Sequence, residues 1–118
     1  MAKKINQKLK KVRTLTYADA IKEALFQEMT RDKRVIAYGI GLPDHKAIFG
    51  TTSGLLEKFG PERVFDTPIS EDAMTGFGVG AAMNGLRPVY HHIRVDFLLL
   101  AMNQLANIAS TVSYGSGG

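Results

Sequence analysis

Ala18, Ile21, Leu25 and Met29 recur at the spacing of one helical face, and Thr16 followed by Asp19 supplies a capping-box-like start. A helix is predicted over residues 16–30. The charged stretch Arg31 to Arg34 then turns into Val35-Ile36-Ala37-Tyr38, a short apolar run closed by Gly39, Gly41 and Pro43, which reads as a buried strand. Residues 44–53 have no clear period. Gly54 to Phe59 forms a short helix ended by Gly60 and Pro61, and Arg63 to Thr67 reads as a second strand.

Pro68 and Ser70 precede a helix-length segment, Glu71 to Asn84, that carries Gly76, Gly78 and Gly80. Each glycine costs a helix roughly 1 kcal/mol relative to alanine, so close approach of another backbone or sheet is the natural compensation. Gly85 closes this helix, Pro88 to Ile93 supplies a third strand, and Phe97 to about Tyr114 is predicted as one long, mostly apolar helix. The order α, β, short α, β, α, β, α implies a layered α/β fold in which a parallel sheet is joined by helical crossovers. Three strands cover such apolar helices poorly. Leu98, Leu99, Leu100, Met102, Leu105 and Ile108 occupy more than one helical face, so the layer is expected to be incomplete at its C-terminal end and completed by another chain or by further sequence.

The 118 residues fit one domain, with 45% hydrophobic and 22% charged residues, as in ordinary water-soluble proteins. There is no cysteine, which removes disulfides, thiolate nucleophiles and cysteine-based metal sites. No apolar run approaches the length of a membrane span, and the chain is expected to be cytoplasmic. The net charge of +4 is unevenly placed: six of the fifteen basic residues fall in residues 1–13, and the rest carries nine basic against eleven acidic groups. Residues 1–13 are therefore expected to form a basic flexible arm, and without interleaved aromatics they do not point to nucleic acid or a membrane surface. The arm is Lys-rich and lacks serine, unlike a mitochondrial presequence.

Gly76, Gly78 and Ala81 formally fit a dinucleotide fingerprint with Asp96 about 20 residues on. In that fingerprint the glycines make the strand-to-helix turn, whereas here Pro68 to Ser70 already makes it, so helix packing is the better reading. His91 and His92 point to opposite faces of a strand, and with His45 in a loop and no cysteine no metal site is expected. Ser53 and Ser70 lack the nucleophile elbow of a serine hydrolase. Glu71 is different. It ends Asp66-Thr67-Pro68-Ile69-Ser70-Glu71, where a strand gives way to a helix at the carboxyl edge of the sheet, the usual ligand side of open α/β folds. It is also the place where an acid complements a helix dipole.

Ile36-Ala37-Tyr38-Gly39, Ile48-Phe49-Gly50-Thr51-Thr52-Ser53-Gly54-Leu55, Asp66-Thr67-Pro68-Ile69-Ser70-Glu71, the Gly-rich helix and Gly85-Leu86-Arg87-Pro88-Val89 together resemble the pyrimidine-binding domain of the β subunit of 2-oxo acid dehydrogenases. These are thiamine-diphosphate enzymes of the transketolase-like superfamily. The resemblance covers residues 14–118, read as the N-terminal part of that domain, and implies a chain that looks truncated. By resemblance, Glu71 matches the catalytic glutamate that contacts N1′ of the aminopyrimidine and promotes proton transfer through its 4′-amino group. Phe97 and Ile93 align with residues that line the same ring pocket. After Gly39 the chain has Ile40-Gly41-Leu42-Pro43-Asp44 where family members commonly carry glutamate.

The resemblance further implies thiamine diphosphate shared with an α-type partner that holds the diphosphate and Mg2+, self-association of β-type chains, and acyl transfer to a lipoyl carrier. Two other readings stand beside this one, a non-catalytic assembly or regulatory module of the same fold and a transketolase-like sugar enzyme. Nothing in the sequence selects the 2-oxo acid.

Overall fold

The computed structural model describes residues 13–44 and 49–117. The arm expected at residues 1–13, apart from Arg13, and His45 lie outside the described residues. Helix α1 runs Tyr17–Arg31, with the Thr16 hydroxyl oxygen accepting from the Asp19 amide as the expected cap. Strand β1 is Val35–Tyr38 and all four of its residues are buried. Helix α2 is Leu55–Phe59, β2 is Val64–Phe65, α3 is Glu71–Met83 and β3 is Arg87–Tyr90. The three strands form a parallel sheet in the order β2-β1-β3, which bears out the layered α/β reading, with Ala37 opposite Val64 and Val89, and Tyr38 opposite Phe65 and Tyr90.

Alternation along β1 divides the core into two layers. Val35 and Ala37 join Met29, Leu42, Leu55 and Val64, with Leu25, Phe26, Leu56 and Phe59 packed against them. Tyr38 turns to the other face, towards α3. Arg63 ties the first layer together: its guanidinium donates to the carbonyls of Met29, Asp32 and Val35 at 2.8–3.0 Å and lies 5.1 Å from the Phe59 ring centroid. It thereby satisfies carbonyls at the end of α1 that the helix itself leaves open.

The glycines of α3 behave unequally. A Cβ on Gly78 would stand 2.3 Å from the Tyr38 hydroxyl oxygen, so this position carries the expected close packing against the sheet. On Gly76 a Cβ would meet the Gln104 side chain at 3.0 Å, and on Gly80 it would meet open space.

Three boundaries differ from the sequence reading. The second strand is only Val64–Phe65 and the third ends at Tyr90 rather than Ile93. The single helix predicted from Phe97 to Tyr114 is instead a 310 segment, Val95–Ala101, a π-helical segment, Asn103–Ala109, and a last turn α4, Val112–Gly115, with a 47° bend after the first. Side chains account for the break. Ser110 and Thr111 donate to the carbonyls of Ala106 and Asn107, a back-bonding pattern that bends helices, and Gln104 is held against α3 by donating to Asp72 Oδ2 at 3.1 Å.

Val95, Leu99 and Leu100 of the 310 segment are 83%, 70% and 63% exposed, which matches the expectation of a poorly covered apolar layer. Among the described residues no single helix is long and apolar enough to cross a membrane.

Candidate functional site

The carboxyl ends of the three strands gather on one edge. β1 leaves through Gly39, whose φ of +153° and position 2.5 Å (for an added Cβ) from the His91 carbonyl oxygen leave no room for a side chain. β2 leaves through Asp66, whose Oδ1 accepts from the amides of Gly41 and Thr67, both at 2.8 Å. The two loops are thus joined by one carboxylate oxygen. From Thr67 the chain turns through Pro68 to Ser70 and enters α3 at Glu71.

Glu71 lies where the sequence places it, at the first position of α3, and it is only 8% exposed. Among the described residues nothing donates a hydrogen bond to its carboxylate. The helix N-terminus complements the charge of this acid. A row of rings crosses the carboxyl ends of the strands. Phe65, Tyr38 and Tyr90 stack across the three strands at centroid distances of 5.5 and 4.9 Å, and Phe77 from α3 meets Tyr38 and Phe65 edge-on at 5.3 and 6.2 Å. The Tyr38 hydroxyl donates to the Met74 carbonyl at 3.0 Å, fixing the row to α3.

His92 extends this row. Its ring lies 4.3 Å from that of Tyr90, as residues two apart on one side of an extended chain allow. Burial pushes the Tyr38 hydroxyl up to about 12, with Tyr90 adding to the effect. Tyr90 is raised by burial and by the charge of Glu71. His91 is lowered by burial and by His92, whereas in His92 the lowering by burial is opposed by the Glu71 carboxylate. Both Nδ1 atoms are buried without a hydrogen-bond partner, as are the hydroxyls of Thr67 and Thr75.

The other two predicted site residues occupy the segment that follows. Ile93 is half-buried in the bend after β3, and Phe97 is half-buried in the 310 segment with the Arg94 guanidinium 5.8 Å from its ring centroid. Tyr90 and His92 are the neighbours of Glu71 that sequence reasoning did not single out. The signal was partial, since alternation puts His91 and His92 on opposite faces without saying which face holds the acid. A surface hollow of about 580 Å³ is lined by Arg13, Leu15, Asp19, Lys22, Glu23 and Phe26 and includes none of these groups. Among the described residues no three His, Cys, Asp or Glu side chains gather where they could hold a metal ion.

Residues 13–117 match the family described as the transketolase pyrimidine binding domain. The chain is 47% identical over 100 residues to pyruvate dehydrogenase E1 component subunit beta-4, chloroplastic, of Oryza sativa subsp. japonica, covering 85% of this chain and 25% of that protein. It is 40% identical over 104 residues to pyruvate dehydrogenase E1 component subunit beta of Rickettsia bellii, covering 88% and 32%. To 2-oxoisovalerate dehydrogenase subunit beta of Bacillus subtilis it is 43% identical over 102 residues, covering 86% and 31%. The chain therefore spans between a quarter and a third of the length of these relatives, which include plastid and bacterial proteins.

Proposed function

Because the chain belongs to the transketolase pyrimidine-binding-domain family and its relatives include β subunits of 2-oxo acid dehydrogenases, we propose that it supplies the aminopyrimidine half of a thiamine-diphosphate site. The observation that carries this reading is Glu71, a residue only 8% exposed at the carboxyl edge of a parallel sheet, whose carboxylate accepts no hydrogen bond from any described residue. Such a group fits a ligand ring nitrogen with which it can share a proton. The flat rings nearby suit a heteroaromatic neighbour.

Bound thiamine diphosphate would supply a nucleophilic carbon and an electron sink for the decarboxylation of a 2-oxo acid. The work of this chain is narrower. Glu71 holds and returns the proton at N1′ of the pyrimidine, which is acid-base catalysis by a positioned side chain. Its place in the first turn of α3 sets the carboxylate at the positive end of the helix dipole. Thr67, Pro68 and Ser70 set where that turn begins, and Asp66 fixes the start of the connection by accepting from Thr67. Ile93 and Phe97 are assigned to the wall of the ring pocket.

We place the diphosphate and Mg2+ on an α-type partner and the acyl product on a lipoyl carrier. The test uses the complete β subunit assembled with that partner. Glu71→Gln keeps size but not proton exchange, and turnover should fall roughly 100- to 10,000-fold while the melting temperature stays nearly constant. Wild-type turnover at saturating thiamine diphosphate would return Glu71 to the role of a helix-dipole partner.

A further inference from the structure

The two halves of the proposed ring site lie on different elements, Glu71 on α3 and Ile93 with Phe97 on the chain that follows β3. One side chain joins these elements. Gln104 donates through Nε2 to Asp72 Oδ2 at 3.1 Å, across 32 positions of chain, and Asp72 is the residue next to Glu71 in the first turn of α3. One turn further on, Gly76 leaves the room the amide needs, since a Cβ there would stand 3.0 Å from Gln104 Oε1 and 3.1 Å from its Cδ. Asp72 and Gly76 are four positions apart, so they share one side of α3 and the amide spans both. Phe97 lies on the same side of its segment as Gln104. From Phe97 to Ile108 only Phe97, Leu98, Ala101 and Gln104 are not exposed, which marks the side turned to the body of the domain. The 47° bend between the 310 and π-helical segments falls between Ala101 and Asn103, immediately before this bond. The bend is thereby tied to the first turn of α3, and the direction of the 310 segment that carries Phe97 is set from that point.

We propose that Gln104 is a positioning residue of the ring site, its amide clasping Asp72 over Gly76 so that the wall bearing Phe97 keeps a fixed place relative to Glu71. This role rests on the reading of Glu71 and Phe97 as the acid and the wall of a thiamine-diphosphate site, and it adds the residue that holds the two together. Gln104 acts through the placement of both elements and not on the reacting atoms. Releasing the clasp costs cofactor affinity, because a wall no longer held must be ordered as the ring enters. It leaves the chemistry of a bound cofactor in place, because Glu71 keeps its own position at the start of α3.

The experiment exchanges donor and acceptor. In the complete β subunit assembled with its partner, thiamine diphosphate affinity is measured by titration calorimetry and turnover at saturating cofactor. Gln104→Glu sets a carboxylate against Asp72 and should weaken binding about 10-fold, the low end of what a hydrogen bond to a charged group is worth. Turnover at saturation should stay close to that of the parent. Asp72→Asn keeps an acceptor for Gln104 and should change affinity little. Gln104→Glu combined with Asp72→Asn remakes the bond in the reverse direction, with the amide on α3 donating, and should recover most of the lost affinity. Unchanged affinity in Gln104→Glu, or no recovery in the double variant, overturns the proposal. Lower turnover at saturation with parent affinity marks a merely structural role and overturns it as well. If Gln104→Glu fails to fold, Gln104→Met keeps the length without the donor and should weaken binding in the same direction, and parent affinity again overturns the clasp. Glu71→Gln in the same assembly separates the two readings. Its loss of turnover beside unmoved affinity in the Gln104 variants overturns the clasp alone. Parent turnover in Glu71→Gln, with affinity lost and recovered across the exchange series, supports the clasp and removes the catalytic reading of Glu71.

Discussion

Replacing Gly78 by alanine tests whether the glycine-rich helix is shaped by the sheet beneath it. The added Cβ would sit 2.3 Å from the Tyr38 hydroxyl oxygen, about 1 Å short of the 3.4 Å at which ordinary contact begins. Tyr38 is fully buried between Phe65 and Tyr90, so it has no free direction of retreat. Overpacking of this kind costs about 1–3 kcal/mol. Displacing the hydroxyl from the Met74 carbonyl adds about 1 kcal/mol, and the better helix propensity of alanine returns about 1 kcal/mol. The net expectation is a loss of about 1–3 kcal/mol, read from denaturant unfolding of the full chain. Tyr38→Phe alone should cost about 1 kcal/mol through the lost hydrogen bond. In the double variant the clash is relieved, so its stability should return close to that of the parent, with a coupling of about 2–4 kcal/mol between the two sites. Additive losses, or stabilisation by Gly78→Ala alone, would refute the close-packing account.

Arg63→Met removes the donor shared by the carbonyls of Met29, Asp32 and Val35 and should cost about 1–3 kcal/mol in the same unfolding assay, with Arg63→Lys recovering only part because an ammonium lacks the planar fork. Burial holds His91 and His92 below their ordinary value, so the unfolded chain takes up protons first as pH falls. The stability these rings contribute is therefore complete above about pH 6.5 and declines towards their lowered folded midpoints, and a melting temperature that did not fall between pH 7 and 5, or a fall unchanged in His91→Gln, would contradict this. Asp32 acts lower on the scale: hydrogen bonds from Arg34 hold its carboxyl well below the usual carboxylate range, so its contribution persists above about pH 4 and is lost only on further acidification, and Asp32→Asn should flatten the melting curve there. The exposed stripe of Val95, Leu99 and Leu100 should drive self-association, which Val95→Lys with Leu99→Lys is expected to abolish in sedimentation velocity while changing unfolding free energy by no more than about 0.5 kcal/mol.

The elements that local chemistry dictates were legible. Thr16 caps α1, Val35 to Tyr38 is too apolar to be anything but a buried strand in this order of elements, and the Pro68 to Ser70 turn places Glu71 at a helix start. What escaped the sequence depends on partners distant along the chain. Nothing in the run from Phe97 to Tyr114 breaks a helix by itself, since it holds neither glycine nor proline, and the break emerges only with Gln104 anchored to Asp72 and with hydroxyls bonding backward along the chain. The three glycines of α3 look equivalent on paper, yet only the register of Tyr38 beneath Gly78 makes one of them indispensable. For the candidate site, the place of Glu71 at a helix start was readable from the strand-to-helix turn, whereas the side on which Tyr90 and His92 lie required knowing which side of β3 faces α3.

The single carboxylate oxygen of Asp66 that accepts from both Gly41 and Thr67 has a kinetic consequence. The loop leaving β1 cannot swing outward unless that oxygen releases Gly41, and the same release loosens the connection that sets the start of α3. Amide hydrogens of Gly41 and Thr67 should then exchange with solvent through one shared opening event rather than two independent ones. Fluctuations of the first loop would in this way reach Glu71 at the start of the helix without passing through the packed rings between the strands.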